Sequence, residues 1–219
     1  MHAEDTALIL LAAGRSRRFG NADKLAQPFL HKPVAFHVVT ALEAIPFRAR
    51  IAVIDGTELD FASRGFDVIV NDDPAAGMSR SVQLGLRAAR AAGVKGVVIA
   101  LADMPRITAA HVYRLLDTAQ GDDAVVASSD GTKPCPPAVF GRGRFDFLES
   151  LEGDAGARDL VRAGRHVITA PAELIDIDTP EDLDRLRAIA EAPEQNDAIT
   201  LPRPNRGTAR ARNDFPTAL

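Results

Sequence analysis

Cationic side chains cluster just after the first apolar segment of the chain. Residues 7–12 carry no charge and have the length of a β-strand, and the small residues Ala12, Ala13 and Gly14 stand at its end. Four cations follow in one short stretch: Arg15, Arg17, Arg18 and Lys24. A glycine-bearing, cationic loop at the carboxyl end of a buried parallel strand is where an α/β sheet holds phosphates. The stretch therefore predicts a phosphate-binding loop whose backbone a flat ligand can approach closely.

An aspartate further along the chain could hold a divalent cation. Asp103 directly follows an apolar segment, where a carboxylate either caps the next turn or binds a metal. Thr108 is better placed to cap the helix that comes next, which favours the metal. Mg²⁺ prefers one or two carboxylates together with phosphate oxygens, and a lone aspartate at this edge of the sheet suits it. Asp178 follows a strand predicted over residues 174–177, and Thr179 can cap the helix after it, which leaves Asp178 available for another role.

The spacing of the first loop excludes two common nucleotide-binding motifs. A P-loop has Lys and then Ser or Thr directly after its last glycine, whereas Gly20 is followed by Asn-Ala-Asp-Lys. The dinucleotide fingerprint G-x-G-x-x-G is absent as well. Residues 11–24 instead resemble the signature, roughly L-A-A-G-x-S-x-R-x-G-x-x-K, of nucleotidyltransferases with a glycosyltransferase-A-like, Rossmann-related fold. Within these, the chain resembles the MobA-like and MocA-like family of molybdenum cofactor cytidylyltransferases and guanylyltransferases.

Three further strings match this family in the expected order: G-M-S-R-S-V-x-x-G-L from Gly77, L-A-D-M-P around Asp103, and D-x-D-T-P-E-D-L around Asp178. The resemblance implies that Ala12, Ala13, Gly14, Gly77, Ser81 and Asp103 bind the nucleotide. It further implies that Arg18 and Lys24 bind its phosphates and act in catalysis with Asp103, and that Asp103 and Asp178 hold Mg²⁺. A plainer interpretation of the Gly77 string is that Ser79 or Ser81 caps the following helix.

Two other segments resemble parts of the family that border the acceptor. The string P-P-A-V-F, which contains Pro137, is similar to a P-x-x-F strand that lines the acceptor pocket, although the family more often has G-x-P here. The string G-D-A-G-A-R contains Gly153 and Asp154, and it recurs in members that act on molybdopterin. A simple turn with an N-cap would explain this second string equally well. The resemblance implies that Pro137, Gly153 and Asp154 contact the acceptor.

The order of predicted elements indicates an α/β protein. Strands alternate with helices, which implies a three-layer, Rossmann-like, mostly parallel sheet. The loops near Gly14, Gly77, Asp103 and Asp178 all come after predicted strands, so they should meet at one edge of that sheet. We expect a single NTP transferase domain over residues 1–190 and a disordered tail over residues 191–219, where apolar periodicity stops and prolines recur.

Composition narrows the functional classes. The net charge of -4 argues against non-specific nucleic-acid binding. A single cysteine excludes an internal disulfide, and no Cys/His cluster has zinc spacing. No signal peptide and no apolar run of membrane-spanning length are evident, so we expect a cytoplasmic protein without a membrane partner.

These inferences combine into a hypothesis of nucleotidyl transfer. A phosphate on the acceptor attacks the α-phosphorus of a nucleoside triphosphate in line, and pyrophosphate leaves. The acceptor phosphate is already an anion near neutral pH, so positioning and electrostatics suffice without a general base. By resemblance, L-A-A-G rather than L-A-G-G favours CTP, and the acceptor is the phosphate of molybdenum-bearing molybdopterin. A molybdenum enzyme or its chaperone is a further expected partner.

Two other enzyme classes fit the same fold. One is a nucleotidyltransferase that acts on a sugar or polyol phosphate. The other is an oxidoreductase resembling nicotine blue oxidoreductase, which would use NAD(P)H. Arg18, Lys24 and Asp103 favour the transferase, because hydride transfer needs no metal. A protein that only binds nucleotides would leave both aspartates without a purpose.

Overall fold

A computed structural model describes residues 1–14, 19–20, 22–153 and 157–191 of the chain. Arg18, Asp154 and residues 192–219 lie outside the described residues. The strands are β1 (Thr6–Ala12), β2 (Pro28–Phe29), β3 (Lys32–Pro33), β4 (Ala49–Ile54), β5 (Asp67–Val70), β6 (Gly96–Leu101), β7 (Val125–Ser129), β8 (Pro134–Gly141) and β9 (Arg165–Ile168). The helices are α1 (Val34–Ala41), α2 (Met78–Ala91), α3 (Ala109–Thr118), α4 (Phe145–Glu149), α5 (Arg158–Ala163) and α6 (Pro180–Glu191).

Seven strands form one sheet in the order β5-β4-β1-β6-β8-β7-β9, while β2 and β3 form a separate hairpin. β1 lies between β4 and β6 and is parallel to both. All seven residues of β1 are buried, as expected for an apolar strand that is covered on both faces of a sheet. β8 is antiparallel to both of its neighbours, β6 and β7. The sheet is therefore mostly parallel, which confirms the predicted fold class.

Helices cover both faces of the sheet and complete the three layers. α1 and α3 contribute Val38, Val112 and other side chains to the core on one face. α2, α4 and α5 pack on the opposite face, where Leu86 and Leu148 are fully buried. Gly85 allows α2 to lie close to β1, because a Cβ at this position would come within 2.5 Å of Ile9 Cγ2. α6 packs through Leu183 and Leu186 on a smaller cluster with Phe29, Val34 and Ile177.

The antiparallel β8 brings a proline-rich segment beside the end of β6. Its ladder with β6 ends at the pair of Ala138 and Ile99, so residues 134–137 come before that pair, on the side of the carboxyl end of β6. Prolines cannot donate to a ladder and favour a loop, yet these residues begin the strand, next to an irregularity in the pairing between Ala127 and Ser128 of β7. The last three residues of the acceptor-like segment P-P-A-V-F pair with residues 97–99 of β6, so only its two prolines approach the carboxyl end of that strand.

The strand predicted over residues 174–177 is wrong. Pro171–Leu174 forms a 3-10 turn, and residues 175–178 join no ladder. The chain leaves β9 on one side of the sheet and crosses its carboxyl edge, where the Ile177 N–H donates to the Asp103 carbonyl at 3.0 Å. A segment that crosses the edge cannot run beside a strand, which is why alternating apolar residues do not form one here. In the described part of the chain, no helix is long and apolar enough to cross a membrane.

Candidate active site

The carboxyl edge of the sheet holds a lysine between two aspartates. Lys24 Nζ lies 2.6 Å from Asp103 Oδ2 and 3.2 Å from Asp178 Oδ1, and it donates a hydrogen bond to each. The side chains of Lys24 and Asp103 are only 11% and 16% exposed, whereas that of Asp178 is 49% exposed. These residues are distant in sequence. They were predicted to meet because each lies in a loop expected to follow a strand, and they do so although the strand before Asp178 is absent.

A backbone hydrogen bond and the cap of a helix hold Asp103 and Asp178 beside each other. Asp103 lies just past the end of β6, and its carbonyl accepts from the Ile177 N–H, which places Asp178 directly beside it. Asp182 then accepts from the backbone N–H groups of Asp178 and Thr179, and the Thr179 hydroxyl accepts from the Asp182 N–H. This reciprocal capping fixes the start of α6. The predicted role of Thr179 as the helix cap is confirmed, although the preceding strand is absent.

Lys24 is oriented by its neighbour Asp23, a residue that the sequence analysis did not single out. One oxygen of Asp23 accepts from the Leu25 N–H at 2.9 Å, and the other accepts from the Thr57 hydroxyl at 2.6 Å. Thr57 belongs to the loop after β4, and Leu25 is buried in the core. Asp23 thereby ties two edge loops together and directs Lys24 toward the aspartates. No local pattern in the sequence joins Asp23 to Thr57.

Burial and charge act against each other in this cluster. Burial raises the pKa of Asp103, the charges of Asp176 and Asp178 raise it further, and Lys24 opposes them. Burial alone would lower the pKa of Lys24, but its interactions with Asp103 and Asp178 outweigh this and raise the pKa. Lys24 is therefore a cation at neutral pH. Asp176 is a contributor that the sequence analysis left without a role, although it belongs to the same D-x-D string.

The aspartates fit a divalent cation that is shared with a substrate. Asp103 Oδ1 is buried, and among the described residues it accepts no hydrogen bond. An orphaned buried carboxylate oxygen beside a second carboxylate is a suitable ligand for Mg²⁺ or Mn²⁺. The described residues contain no group of three or more His, Cys, Asp and Glu side chains that could hold a metal without other ligands. A cation at Asp103 and Asp178 would therefore need ligands from water or from phosphate.

The first loop is open where a nucleotide would approach. Ala12 is buried at the end of β1, Ala13 is half-buried, and Gly14 is exposed. A Cβ at Gly14 would meet nothing within 4 Å among the described residues. Arg18, predicted to bind phosphate, lies outside the described residues. The nucleotide-binding roles of Ala12, Ala13 and Gly14 stay predictions.

The second loop begins α2 with Gly77, whose φ is +84°. The predicted capping by Ser79 or Ser81 is wrong: both lie inside the first turn, and neither side chain caps this helix. Ser81 is 2% exposed, and its hydroxyl accepts from Asn71 Nδ2 at 3.0 Å, so it supports the loop through a buried hydrogen bond to the residue that follows β5. Its predicted contact with the nucleotide stays untested.

The acceptor-like segments lie on either side of this arrangement. The Gly153 carbonyl accepts from the Ser79 N–H at 3.2 Å, so Gly153 lies against the Gly77 loop. Pro137 is buried, and its carbonyl accepts from the Ser128 hydroxyl at 2.7 Å, while Pro136 before it is half-buried. Asp154 lies outside the described residues. Their contacts with an acceptor stay predictions.

Fold and site together define a nucleotidyltransferase of the α/β type. The chain belongs to the MobA-like NTP transferase domain family, whose model matches residues 8–168. It is 33% identical over 198 residues to the purine catabolism protein PucB of Bacillus subtilis, and the aligned region covers 82% of this chain and 94% of that protein. It is 28% identical over 191 residues to the molybdenum cofactor guanylyltransferase of Cereibacter sphaeroides, which covers 83% of this chain and 95% of that protein.

Solved structures show the same architecture. The Rv0371c protein of Mycobacterium tuberculosis H37Rv superimposes with a TM-score of 0.71 at 27% identity, over 84% of this chain and 98% of that one. That protein has also been solved as a complex with manganese, with a TM-score of 0.68 to this chain. These likenesses confirm the predicted family and agree with a site built for a divalent cation. They do not carry the cytidylyl specificity that the sequence suggested.

Proposed function

We propose that the protein is a Mg²⁺-dependent nucleotidyltransferase that moves NMP from a nucleoside triphosphate, with CTP favoured, to the phosphate of molybdenum-bearing molybdopterin. Pyrophosphate is the second product. One observation carries the proposal: a buried ammonium group bonds two carboxylates at the sheet edge, and one carboxylate oxygen there has no partner among the described residues. Cation and anion groups in such an arrangement suit a polyphosphate with a divalent cation.

The side chains at this edge would act by position and charge. The hydrogen bonds of Asp23 fix the backbone next to Lys24. The ammonium group of Lys24 would neutralise charge on the triphosphate. Asp103 and Asp178 would hold Mg²⁺, which supplies Lewis-acid stabilisation of the phosphoryl oxygens when bound. Arg18 would bind the departing pyrophosphate. The acceptor phosphate is anionic at neutral pH, so no proton has to be removed from it. The site would act by aligning this phosphate with the α-phosphorus.

The loops supply the surfaces for the two substrates. The open backbone from Ala12 to Gly14 and the Gly77 loop would contact the base and sugar. Gly153, on the far side of the Gly77 loop, and residues 134–137, toward the carboxyl end of β6, would border the acceptor. After transfer, a molybdenum enzyme or its chaperone would receive the finished cofactor.

GTP is the second candidate for the nucleotide. Three of the curated relatives are named molybdenum cofactor guanylyltransferases or probable ones, including the protein from Cereibacter sphaeroides. The preference for CTP comes from the L-A-A-G form of residues 11–14, in which two alanines precede the glycine. Both nucleotides would use the same phosphate chemistry, so the choice between them depends on the base-contacting loops.

The experiment is a measurement of pyrophosphate release with Mg²⁺ and molybdenum-bearing molybdopterin, comparing CTP, GTP, ATP and UTP. Release with CTP alone supports the full proposal, and release with GTP keeps the reaction and corrects the base. Asp103→Asn should be silent, while Asp117→Asn, an exposed aspartate on α3, should match the wild type. Silence of the wild type with all four triphosphates would reject the acceptor and direct the assay to sugar phosphates and then to NAD(P)H oxidation.

A further inference from the structure

A chain of buried polar side chains lies under the acceptor side of the sheet edge and takes no part in the Lys24 cluster. His111 on α3 and Ser128 on β7 are both 0% exposed. His111 Nε2 lies 2.7 Å from Ser128 Oγ, and Ser128 Oγ lies 2.7 Å from the Pro137 carbonyl oxygen. On its other side, His111 Nδ1 lies 3.0 Å from Arg114 Nη2. Buried polar groups that are fully paired specify one arrangement of the backbone around them.

The partners of His111 determine its protonation state. Pro137 offers only a carbonyl, so Ser128 must donate its single hydroxyl proton to it. His111 Nε2 must then donate to the Ser128 oxygen. Arg114 has no acceptor, so Nδ1 of His111 must accept from its guanidinium. The imidazole is therefore neutral with its proton on Nε2, and no other tautomer satisfies both neighbours.

Arg114 connects this chain of hydrogen bonds to the end of β9. Its guanidinium donates to the Thr169 hydroxyl at 3.0 Å and to the Ile168 carbonyl at 3.2 Å. Thr169 in turn donates to Glu173 Oε2 at 2.7 Å. Arg114 and Glu173 are the charged groups that act on the His111 imidazole. The hydrogen bonds thus run without a break from Glu173, through His111, to the start of β8.

We propose that His111 is a positioning residue for the acceptor: it holds Ser128 so that the Pro137 carbonyl, and with it residues 134–137, keep their place toward the carboxyl end of β6. This inference rests on the proposed function for the identity of the acceptor segment. It assigns a role to three residues outside the family strings, His111, Arg114 and Ser128. His111 and Ser128 are fully buried, so they act through the backbone of β8, and Arg114 acts through His111.

The role of His111 depends on its neutral form. Burial, together with the charge of Arg114, lowers the pKa of His111, and the charge of Glu173 acts the other way. Protonation would add an N–H at Nδ1 directly against the Arg114 guanidinium, which is also a donor. The unfolded chain takes up this proton more readily, so His111 costs stability as the pH falls below the ordinary histidine pKa of about 6.5. Above that value the chain of hydrogen bonds is complete.

Two substitutions separate the hydrogen bonds from the volume of the side chain. His111→Gln keeps an acceptor toward Arg114 and a donor toward Ser128 but cannot be protonated. His111→Leu removes both. His2→Gln, at an exposed histidine, is the matched control. With Mg²⁺, the preferred triphosphate and molybdenum-bearing molybdopterin, His111→Leu should raise the KM of the acceptor about tenfold, because Ser128 and the Pro137 carbonyl lose their hydrogen-bonded support. The KM of the triphosphate should stay unchanged.

The pH profile supplies a second readout. Between about pH 7.5 and 5.5, across the ordinary histidine pKa, the Tm of the wild type and of His2→Gln should fall, because the unfolded chain takes up the proton there before the folded chain does. His111→Gln should match the wild type at the upper pH, and its Tm should fall less at the lower one. Equal changes in the KM of both substrates, or a pH profile of His111→Gln like that of the wild type, would overturn the positioning role.

A readout without activity keeps this inference separate from the proposed function. Hydrogen exchange in the peptide that spans residues 129–141 should accelerate in His111→Leu and stay slow in His111→Gln, while β1 and β4 remain protected in both. Exchange that is unaltered in His111→Leu, or accelerated throughout the sheet, would refute the role of His111. Silence of the wild type with molybdopterin would instead reject the proposed acceptor, and the exchange result would still decide the matter for His111.

Discussion

At the scale of single residues, the site depends on a cation that is nine-tenths buried. Lys24 is stable there because Asp103 and Asp178 both lie within hydrogen-bond distance. Removing one partner of such a group costs more than the pair contributes, since the remaining charge is then left in a poor solvent. Lys24 keeps Asp178 when Asp103 is neutralised, whereas Asp103 has no second cation among the described residues. Changes at Asp103 and Lys24 therefore affect folding and catalysis differently.

Asp103→Asn should abolish Mg²⁺-dependent turnover with little loss of fold. The amide keeps the shape of the side chain and an oxygen toward Lys24, but it removes the negative charge that a divalent cation needs. We expect kcat/KM to fall about 10²-fold or more, comparable to the loss of one electrostatic stabiliser in a transition state. Steady-state kinetics and a thermal melt measure the two effects, with Asp117→Asn as the control. An Asp103→Asn enzyme at wild-type rate would remove the metal from the proposal.

Lys24→Ala should weaken the handling of the triphosphate. The change removes the only cation bonded to Asp103 in the described part of the chain, and with it the charge opposite the phosphates. We expect kcat/KM for the triphosphate to fall about 10²-fold. Lys95→Ala removes a lysine from a surface ion pair with Asp5 and should leave the kinetics unchanged. If both variants keep the wild-type kcat/KM, Lys24 has no phosphate role.

The sequence predicted Lys24, Asp103 and Asp178 as a group because each stands in a motif, and the structure brings them together. It could not predict Asp23 with Thr57, or His111 with Ser128. These partners lie on different elements, and polar residues of their types also occur in ordinary turns and helix surfaces. His111 is buried because α3 packs against β7. Its two nitrogens need partners because it is buried. The sequence thus predicted the three clustered side chains, but it did not predict the residues that support them.

At the scale of elements, the apolar pattern of the sequence predicted some strands correctly and one wrongly. The apolar runs of β1 and β6 predicted central strands correctly, because a strand buried on both faces leaves no polar positions. The segment over residues 174–177 has a similar apolar pattern, yet it packs under α6 and crosses the sheet edge. Burial by a helix and burial in a sheet select the same residue types, so pattern alone could not separate them.

Gly77 offers a test at this scale, because it starts α2 with a φ of +84° and a ψ of -171°. A residue with a Cβ rarely adopts this conformation. Gly77→Ala should therefore cost ~1–3 kcal/mol in the free energy of unfolding and raise the KM of the triphosphate. Gly65→Ala, at a φ of +79° and a ψ of 27°, is the control. It should cost less, ~1–2 kcal/mol, because the left-handed helical region is accessible to other residues. Urea unfolding and steady-state kinetics measure both effects, and a Gly77→Ala enzyme with wild-type stability and KM would contradict the role of this loop.

At the scale of the whole molecule, the site is closed by a segment beyond the part that the family model matches. That model ends at residue 168, but Asp178 and the Ile177 N–H that bonds the Asp103 carbonyl both lie later. α6 then buries Leu183 and Leu186 against Phe29 and Val34. Because Phe29 and Val34 follow Lys24 in the chain, α6 supports the segment that carries Lys24 as well as the two aspartates. The segment up to residue 191 thus belongs to the structural unit that holds these three side chains together.

Two shortened chains test this dependence. A chain of residues 1–191 keeps the contacts of the site that the structure describes, so we expect the Tm and kcat/KM of the full chain. A chain of residues 1–170 keeps the whole seven-stranded sheet but loses Asp178, the bond to the Asp103 carbonyl and the apolar face of α6. Exposing the side chains that α6 covers, such as Phe29 and Val34, costs ~1.5–3 kcal/mol each, so its Tm should fall and its turnover should vanish. Double substitution of Leu183 and Leu186 by Ala in the full chain is the milder control, and it should lower the Tm and raise the KM of the triphosphate. Full activity of the 1–170 chain would show that the site ends with the family domain, whereas inactivity of the 1–191 chain would extend the catalytic unit into the remaining residues.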